Sequence, residues 1–423
     1  MLEKNGIIGE RVVRKDAPAK SNGTAIYAGD VKMEGMLYGK ALRAKYPHAK
    51  ILSIDTSEAE KMPGVRAVIT AKDIPGENIF GLSIEDQEVI ASDETRMLGD
   101  PVALVAADTL DQANEAIYHI HVEYEELPGV YTIEDALKED APKVHPEGNL
   151  LQHTKVRKGN IEDGFAKCKY VVENTYRTQR VEHSYMEPES SVAYMDANGV
   201  MNVLSSTQYA FRDRKQVAKA LGFPVNMVRV KQMVTGGGFG GKDDITTEIQ
   251  AAVLAYHTRK PVKMVWAREE SMICSTKRHP FKIWIRTGCD ENGMLQALEA
   301  NVYSDKGAYC SIGHFITKKV GLHVSGPYEI PNIRVDTYAV YTNNTVCGPF
   351  RGFGILQASF VHENQMELLA RECGMDPWEF RRINALTVGK ATSTGQRFDS
   401  SVGFTKTLDR IKEYMDAHPL EEV

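Results

Sequence analysis

TGGGFGGKD, residues 235–243, lies between a strand-like run, MVRVKQMV at 227–234, and a helical one, ITTEIQAAVLAYH at 245–257. Gly236, Gly237, Gly238, Gly240 and Gly241 surround Phe239. So many glycines let the backbone approach a ligand closely and take up positive φ. Amides at the start of the following helix would favour an anion such as a phosphate. The plainest alternative is a tight β–α turn whose glycines answer only to geometry. Gly236, Gly238 and Gly241 also match GxGxxG, the dinucleotide fingerprint between a strand and a helix. That reading makes the chain an NAD-linked dehydrogenase, with Glu269 or Glu270 after the next strand as the ribose acid. The same segment fits GxxxxGK through Gly236, Gly241 and Lys242, but Asp243 stands where a P-loop needs Ser or Thr, and an acid there repels phosphate.

A second loop of the same kind, GPFRGFG at 348–354, follows strand-like VDTYAVYT and precedes a long helix from about Ile355 to Glu372. Both loops are therefore expected to open helices. Gly374 is placed as the C′ residue of the long helix, and Asp376-Pro377 as N-cap and N1 of the next. A dinucleotide fold leaves this second loop unexplained.

Outward from the loops, the chain reads as α+β. Residues 20–130 alternate strand-like AIYAG, GVRAVIT, DPVALVAA and YHIHVEYEEL with helical stretches, notably Thr109 to Ile117. EDAPKVHPEGN at 139–149 is polar, carries two prolines and has no apolar periodicity, which marks a boundary. The division is 1–138 as an α/β domain, 139–150 as a linker and 151–423 as an α+β domain. In the last, MNVLSSTQ is a strand, RKQVAKALGF a helix ending at Gly222 and KPVKMVW a strand.

At 423 residues the chain can bury two or three cores, and a net charge of −6 with no long Lys/Arg block gives no field for nucleic acid. No stretch approaches the roughly 18–20 apolar residues of a membrane span, and MLEKNGIIGERVVRKD lacks an apolar leader, so a cytoplasmic location is expected. Six scattered cysteines without a CxxC pair read as free thiols, Cys347 among them as structural. There is no HExxH, and His119 and His121 share one face of a strand without any need for a metal.

Several stretches, in this order, carry a resemblance: RKDAPAKSNGTAIYAGD at 14–30, YPHAKILSID at 46–55, MPGVRAVITAKDIPG at 62–76, GDPVALVAADT at 99–109, MEPE at 186–189, STQ at 206–208, GGGFGGKD at 236–243, YEIPNIR at 328–334 and FRGFG with Gln357 at 350–357. Over nearly its whole length the chain resembles the xanthine dehydrogenase family of molybdenum hydroxylases. The resemblance implies a hammerhead-like N-terminal domain followed by the first molybdopterin-binding domain. It also implies a molybdopterin dinucleotide, the cytosine form, whose metal takes no protein side chain as ligand. The protein then acts by orienting and tuning the cofactor.

Carried over residue by residue, Gln208 of STQ is similar to the family glutamine that hydrogen-bonds a molybdenum oxygen, and an amide donates there without adding charge. Gly237, Gly238, Phe239 and Gly240 look like the loop that packs on metal and pterin, and Arg351 and Gly352 like the loop pressed against the cofactor. Phe353 matches the ring stacked on a flat substrate. Asp243 and Lys319 fall where purine-oxidising members keep an acid and an arginine; lysine loses the planar fork, which puts xanthine in doubt and leaves another purine or nicotinate. Core packing for Phe353 and an exposed pair for Lys318 and Lys319 are the ordinary alternatives. In the loop that holds Gly352 the copper-containing carbon monoxide dehydrogenases place a cysteine, absent here.

Longer family members continue for several hundred residues and bring a Gly-Glu whose glutamate is the general base. No such Gly-Glu follows FRGFG here, nor is there the cysteine spacing of a 2Fe-2S module or a flavin (FAD) sequence. The resemblance therefore implies partners: a smaller molybdopterin subunit carrying the catalytic Glu, an iron–sulfur subunit and an FAD subunit, as in split bacterial members that include the nicotinate dehydrogenases. Alone, the chain is expected to be inactive. A catalytically silent assembly scaffold is the remaining alternative, against which Gln208, Phe239 and Phe353 together argue.

Overall fold

The computed structural model describes residues 10–419. The start of the stretch without an apolar leader, residues 1–9, lies outside them, as do the final four residues.

Two sheets organise the molecule. In the first, seven strands run in the order Val228–Gln232, Met201–Ser205, Ser190–Met195, Val262–Val265, Leu37–Arg43, Pro101–Ala107, Val65–Ile69. Pro101–Ala107, PVALVAA, is buried at every position, as a strand covered on both faces must be. Leu104 and Ala106 enter one core, beneath helices α2 (Ala210–Leu221) and α3 (Glu248–Thr258). Ala103 and Val105 enter another with Ala116 of α1 (Leu110–Ala116), the alternation a strand imposes. Thr109 and Gln112 cap α1 reciprocally, and left-handed Gly222, φ 65°, ends α2.

The second sheet has the order Tyr170–Thr178, Phe281–Cys289, Leu295–Asp305, Asn332–Val340, Leu150–Lys158. Helices α4 (Gly313–His323) and α5 (Ile355–Glu372) pack Ile316, Val320, Ala358 and Val361 into one core with Ile283, Ile285 and Val302. Gly374 takes φ 66° just past α5, and the Asp376 carboxylate caps the helix Pro377–Asn384 through the amides of Trp378 and Glu379. Between the sheets, Ile133, Ala136 and Val144 pack with Val340 and Tyr341, and Asn149 donates to the Ala136 carbonyl at 3.0 Å, so residues 130–149 are laid against the second sheet.

Three local expectations need correction. AIYAG is not a strand: Tyr27 makes one bridge to Val234, and Ala28–Asp30 is a 3-10 turn closed by the Asp30 carboxylate on the Tyr27 amide. The strand of YHIHVEYEEL begins at His121, with His119 in a preceding 3-10 turn. Both imidazoles rest on the Glu58 carboxylate, at 2.7 and 3.0 Å. Finally, α3 starts only at Glu248, so the first glycine loop does not open it. The Glu248 carboxylate accepts from the Thr246 amide at 2.7 Å, which fills the helix start with an acid and removes the phosphate site expected there.

Candidate cofactor and active site

The two glycine loops meet. The Arg351 amide donates to the Phe239 carbonyl at 2.7 Å. A Cβ on Gly240, whose φ is +102°, would lie 2.9 Å from the Pro349 carbonyl, so only glycine permits this approach. Phe239 and Phe353 hold φ of 51° and 48°, a left-handed conformation costly for an aromatic residue. Such strain persists where surrounding contacts enforce it, and it gathers at functional sites.

Gln208 follows the strand Met201–Ser205 and stands at the mouth of the first loop. Its amide donates to the Lys242 carbonyl at 2.8 Å, and its Oε1 accepts from the Gly240 amide at 3.0 Å. The side chain is thereby oriented with Nε2, an exposed donor, free of protein partners among the described residues. A Cβ on Gly238 would collide with that same Oε1. Behind the loop, buried Lys242 pairs with Glu187 at 2.9 Å, the same carboxylate oxygen accepts from the Gly236 amide at 2.6 Å, and the ammonium lies 4.7 Å from the Tyr185 ring centre. Burial lowers the Lys242 pKa, and the Glu187 pair opposes that shift.

The expected substrate groups are brought together only in part. Lys319, on α4, places its Nζ 5.3 Å from the centre of the Phe353 ring. Phe353 itself is half-buried, packed against the second core with part of its ring still accessible. Asp243 is half-buried on the first loop, where desolvation pushes its carboxyl up, and it makes no ion pair with Lys319. The neighbouring Asp244 accepts from Ser311 Oγ at 2.6 Å, and burial raises its pKa to about 6. Arg351 and Gly352 are exposed, and Arg351 serves the loop contact through its main chain. Cys347 is fully buried, and burial pushes its thiol up. Glu270, one of the two candidate ribose acids of the dinucleotide reading, is committed to Lys40 and Arg43.

Four residues with structural work at the site escaped the sequence reading: His183, Glu187, Arg278 and Lys306. Glu187 lies inside MEPE and His183 three residues before it, so the motif was visible without its geometry.

Two glycine loops thus touch through their main chains, with a neutral amide donor held at the mouth of the first. Among the described residues no His, Cys, Asp and Glu cluster could hold a metal ion directly. Residues 144–385 match the molybdopterin cofactor-binding domain family, and residues 22–128 match the a/b hammerhead domain of aldehyde oxidase and xanthine dehydrogenase. The chain belongs to the xanthine dehydrogenase family of molybdenum hydroxylases, as a molybdopterin-binding chain. It is 44% identical over 407 residues, 96% of each chain, to the nicotinate dehydrogenase large molybdopterin subunit of Eubacterium barkeri. To a probable xanthine dehydrogenase subunit of Bacillus subtilis it is 42% identical over 88% of its own length and 50% of that protein's. The aldehyde oxidoreductase of Desulfovibrio gigas superposes with a TM-score of 0.92 at 31% identity, covering 96% of this chain and 46% of that one. The chain thus spans about half the length of these longer relatives. No helix among the described residues is long and apolar enough to cross a membrane.

Proposed function

We propose that the chain is the larger molybdopterin-binding polypeptide of a split, cytoplasmic hydroxylase that inserts a water-derived oxygen into an electron-poor carbon of an N-heteroaromatic substrate, nicotinate or a purine. The observation that carries this reading is Gln208: its Oε1 is fixed by the Gly240 amide, so Nε2 is presented as an uncharged donor at the first loop, which the second one touches. The narrow approach at Gly238 and Gly240 leaves room for a cofactor against bare main chain, which supports a molybdopterin; the dinucleotide in its cytosine form is part of the proposal. Gly237, Gly238, Phe239, Gly240, Arg351 and Gly352 would hold it. When bound, it would supply the two-electron redox chemistry of the hydroxylation.

The chain's own residues then bind and orient. Phe353 offers an aromatic edge to a flat ring, and Lys319 adds a cation above it that suits an anionic pyridine carboxylate better than a neutral purine. Asp243, whose pKa burial raises, can accept from a ring N–H. The general base comes from a smaller molybdopterin subunit, and electrons leave through a 2Fe-2S subunit and an FAD subunit. Similarity, at matching length, to the large molybdopterin subunit of nicotinate dehydrogenase supports that division.

Metal analysis of the native complex tests the reading. Near-stoichiometric molybdenum and turnover of nicotinate or a purine are expected, with none by the isolated chain. A complex devoid of molybdenum, or substantial hydroxylation by this chain alone, would sink it.

A further inference from the structure

The second glycine loop is held from behind through alternate carbonyls. Buried Lys306 donates to the Cys347 carbonyl at 3.0 Å, His183 Nε2 to the Pro349 carbonyl at 2.8 Å, and Arg278 Nη2 to the Arg351 carbonyl at 3.0 Å. The three donors come from three separate segments of the chain. His183 precedes MEPE, Arg278 leads into the strand Phe281–Cys289, and Lys306 follows the strand Leu295–Asp305.

His183 is also wedged between the two loops. Its ring stacks on Phe350 with centres 4.0 Å apart, and a Cβ on Gly241 of the first loop would lie 2.9 Å from the imidazole. The Arg278 guanidinium lies 3.9 Å from the centre of the same Phe350 ring. A carbonyl only accepts, so the neutral imidazole must carry its proton on Nε2; burial holds its pKa near 4, and Nδ1 is buried without a partner. Lys306 is fully buried and makes no ion pair among the described residues. Its Nζ donates to His279 Nε2 at 2.6 Å and to the Cys347 carbonyl, while burial lowers its pKa. An unpaired buried ammonium is expensive, and one committed to a loop carbonyl fixes that loop strongly.

We infer that His183, Arg278 and Lys306 are positioning residues that set the spacing of the two loops, and so the width of the cradle between Gln208, Phe239 and Phe353. His183 is the spacer between the loops, Lys306 fixes the entry to the second one at Cys347, and Arg278 fixes its middle at Arg351. The inference rests on the functional reading above for its catalytic consequence, though not for its structural one. Small displacements of a catalytic frame are enough to cost orders of magnitude in rate.

The test uses the purified multi-subunit complex carrying His183→Phe, which keeps a stacking ring and loses the donor, and Arg278→Met with its conservative partner Arg278→Lys. Amide exchange of residues 347–354 and 235–243 should speed up about tenfold in His183→Phe and Arg278→Met, while residues 281–289 of the second sheet stay protected. In both, kcat should fall about tenfold or more with KM changing less, and Arg278→Lys should recover most of the loss. Unchanged exchange in the loops would overturn the inference. So would loosened loops with parental kcat, or faster exchange spread equally through residues 281–289. A parental complex without molybdenum or turnover would count against the functional reading alone, because exchange in the loops decides the clamp independently.

Discussion

Gln208 shows what one side chain contributes once its neighbours fix it. With Oε1 held by the Gly240 amide, the donor end has a single direction, and its value lies in that orientation more than in its strength. Gln208→Ala should therefore lower kcat by about tenfold to a hundredfold in an assembled complex with normal molybdenum content, read by steady-state kinetics and metal analysis. Gly238→Ala should imitate it, since the added methyl collides with Gln208 Oε1 and must push the amide aside. Parental turnover in both would remove Gln208 from the site. Phe353→Ala should chiefly raise KM, as should Lys319→Met for an anionic substrate more than for a neutral one, which a comparison of nicotinate with a purine checks. Gln208, Gly238 and Phe353 were legible in sequence because each sits in a short motif, and Lys319 because of its distance from YEIPNIR. His183, Arg278 and Lys306 were not, because their role exists only where three segments distant in sequence converge on one loop.

At the scale of elements, strong local signals were readable and contested ones were not. The helical stretch read from Thr109 to Ile117 is a helix, opened in the structure by a capping box of Thr109 and Gln112, and Gly222 and Gly374 end helices for the reason that only glycine enters φ > 0 freely. Thr109→Ala should cost about 1 kcal/mol, seen as a lower denaturation midpoint with unchanged denaturant sensitivity. An unchanged midpoint would mean that the cap is redundant with the packing of Ala113 and Ala116. AIYAG failed as a strand because the Asp30 side chain outcompetes a neighbouring strand for the Tyr27 amide. The first glycine loop failed to open a helix for a related reason. Its continuation through Asp244 to Thr247 is committed to contacts with Ser311 and the second loop, and Glu248 closes the helix start.

For the whole molecule, the sequence boundary near residue 139 says little about mechanical separation, because the first sheet is built from both sides of it. Leu37–Arg43 pairs in parallel with Val262–Val265, and Lys40 and Arg43 both reach Glu270. Such pairing joins residues more than two hundred positions apart and leaves no local trace in sequence. Asp100 is a second tie across that boundary. Its carboxylate accepts from the amides of Arg96 and Met97 at 2.7 and 3.1 Å and from the hydroxyl of Tyr309 at 2.8 Å, yet burial still raises its pKa to about 6. The folded chain therefore keeps a proton on Asp100 between about pH 4 and 6, where the unfolded chain has lost it. Stability from this group is complete below the unfolded pKa and is lost as pH rises through the folded one. The difference corresponds to at most about 3 kcal/mol. Asp100→Asn carries no such charge. The stability of the parent relative to this variant should thus fall as pH is raised from 4 to 7, measured by parallel denaturation series, and a constant or rising difference would show that Asp100 is ionised throughout, its three donors outweighing burial.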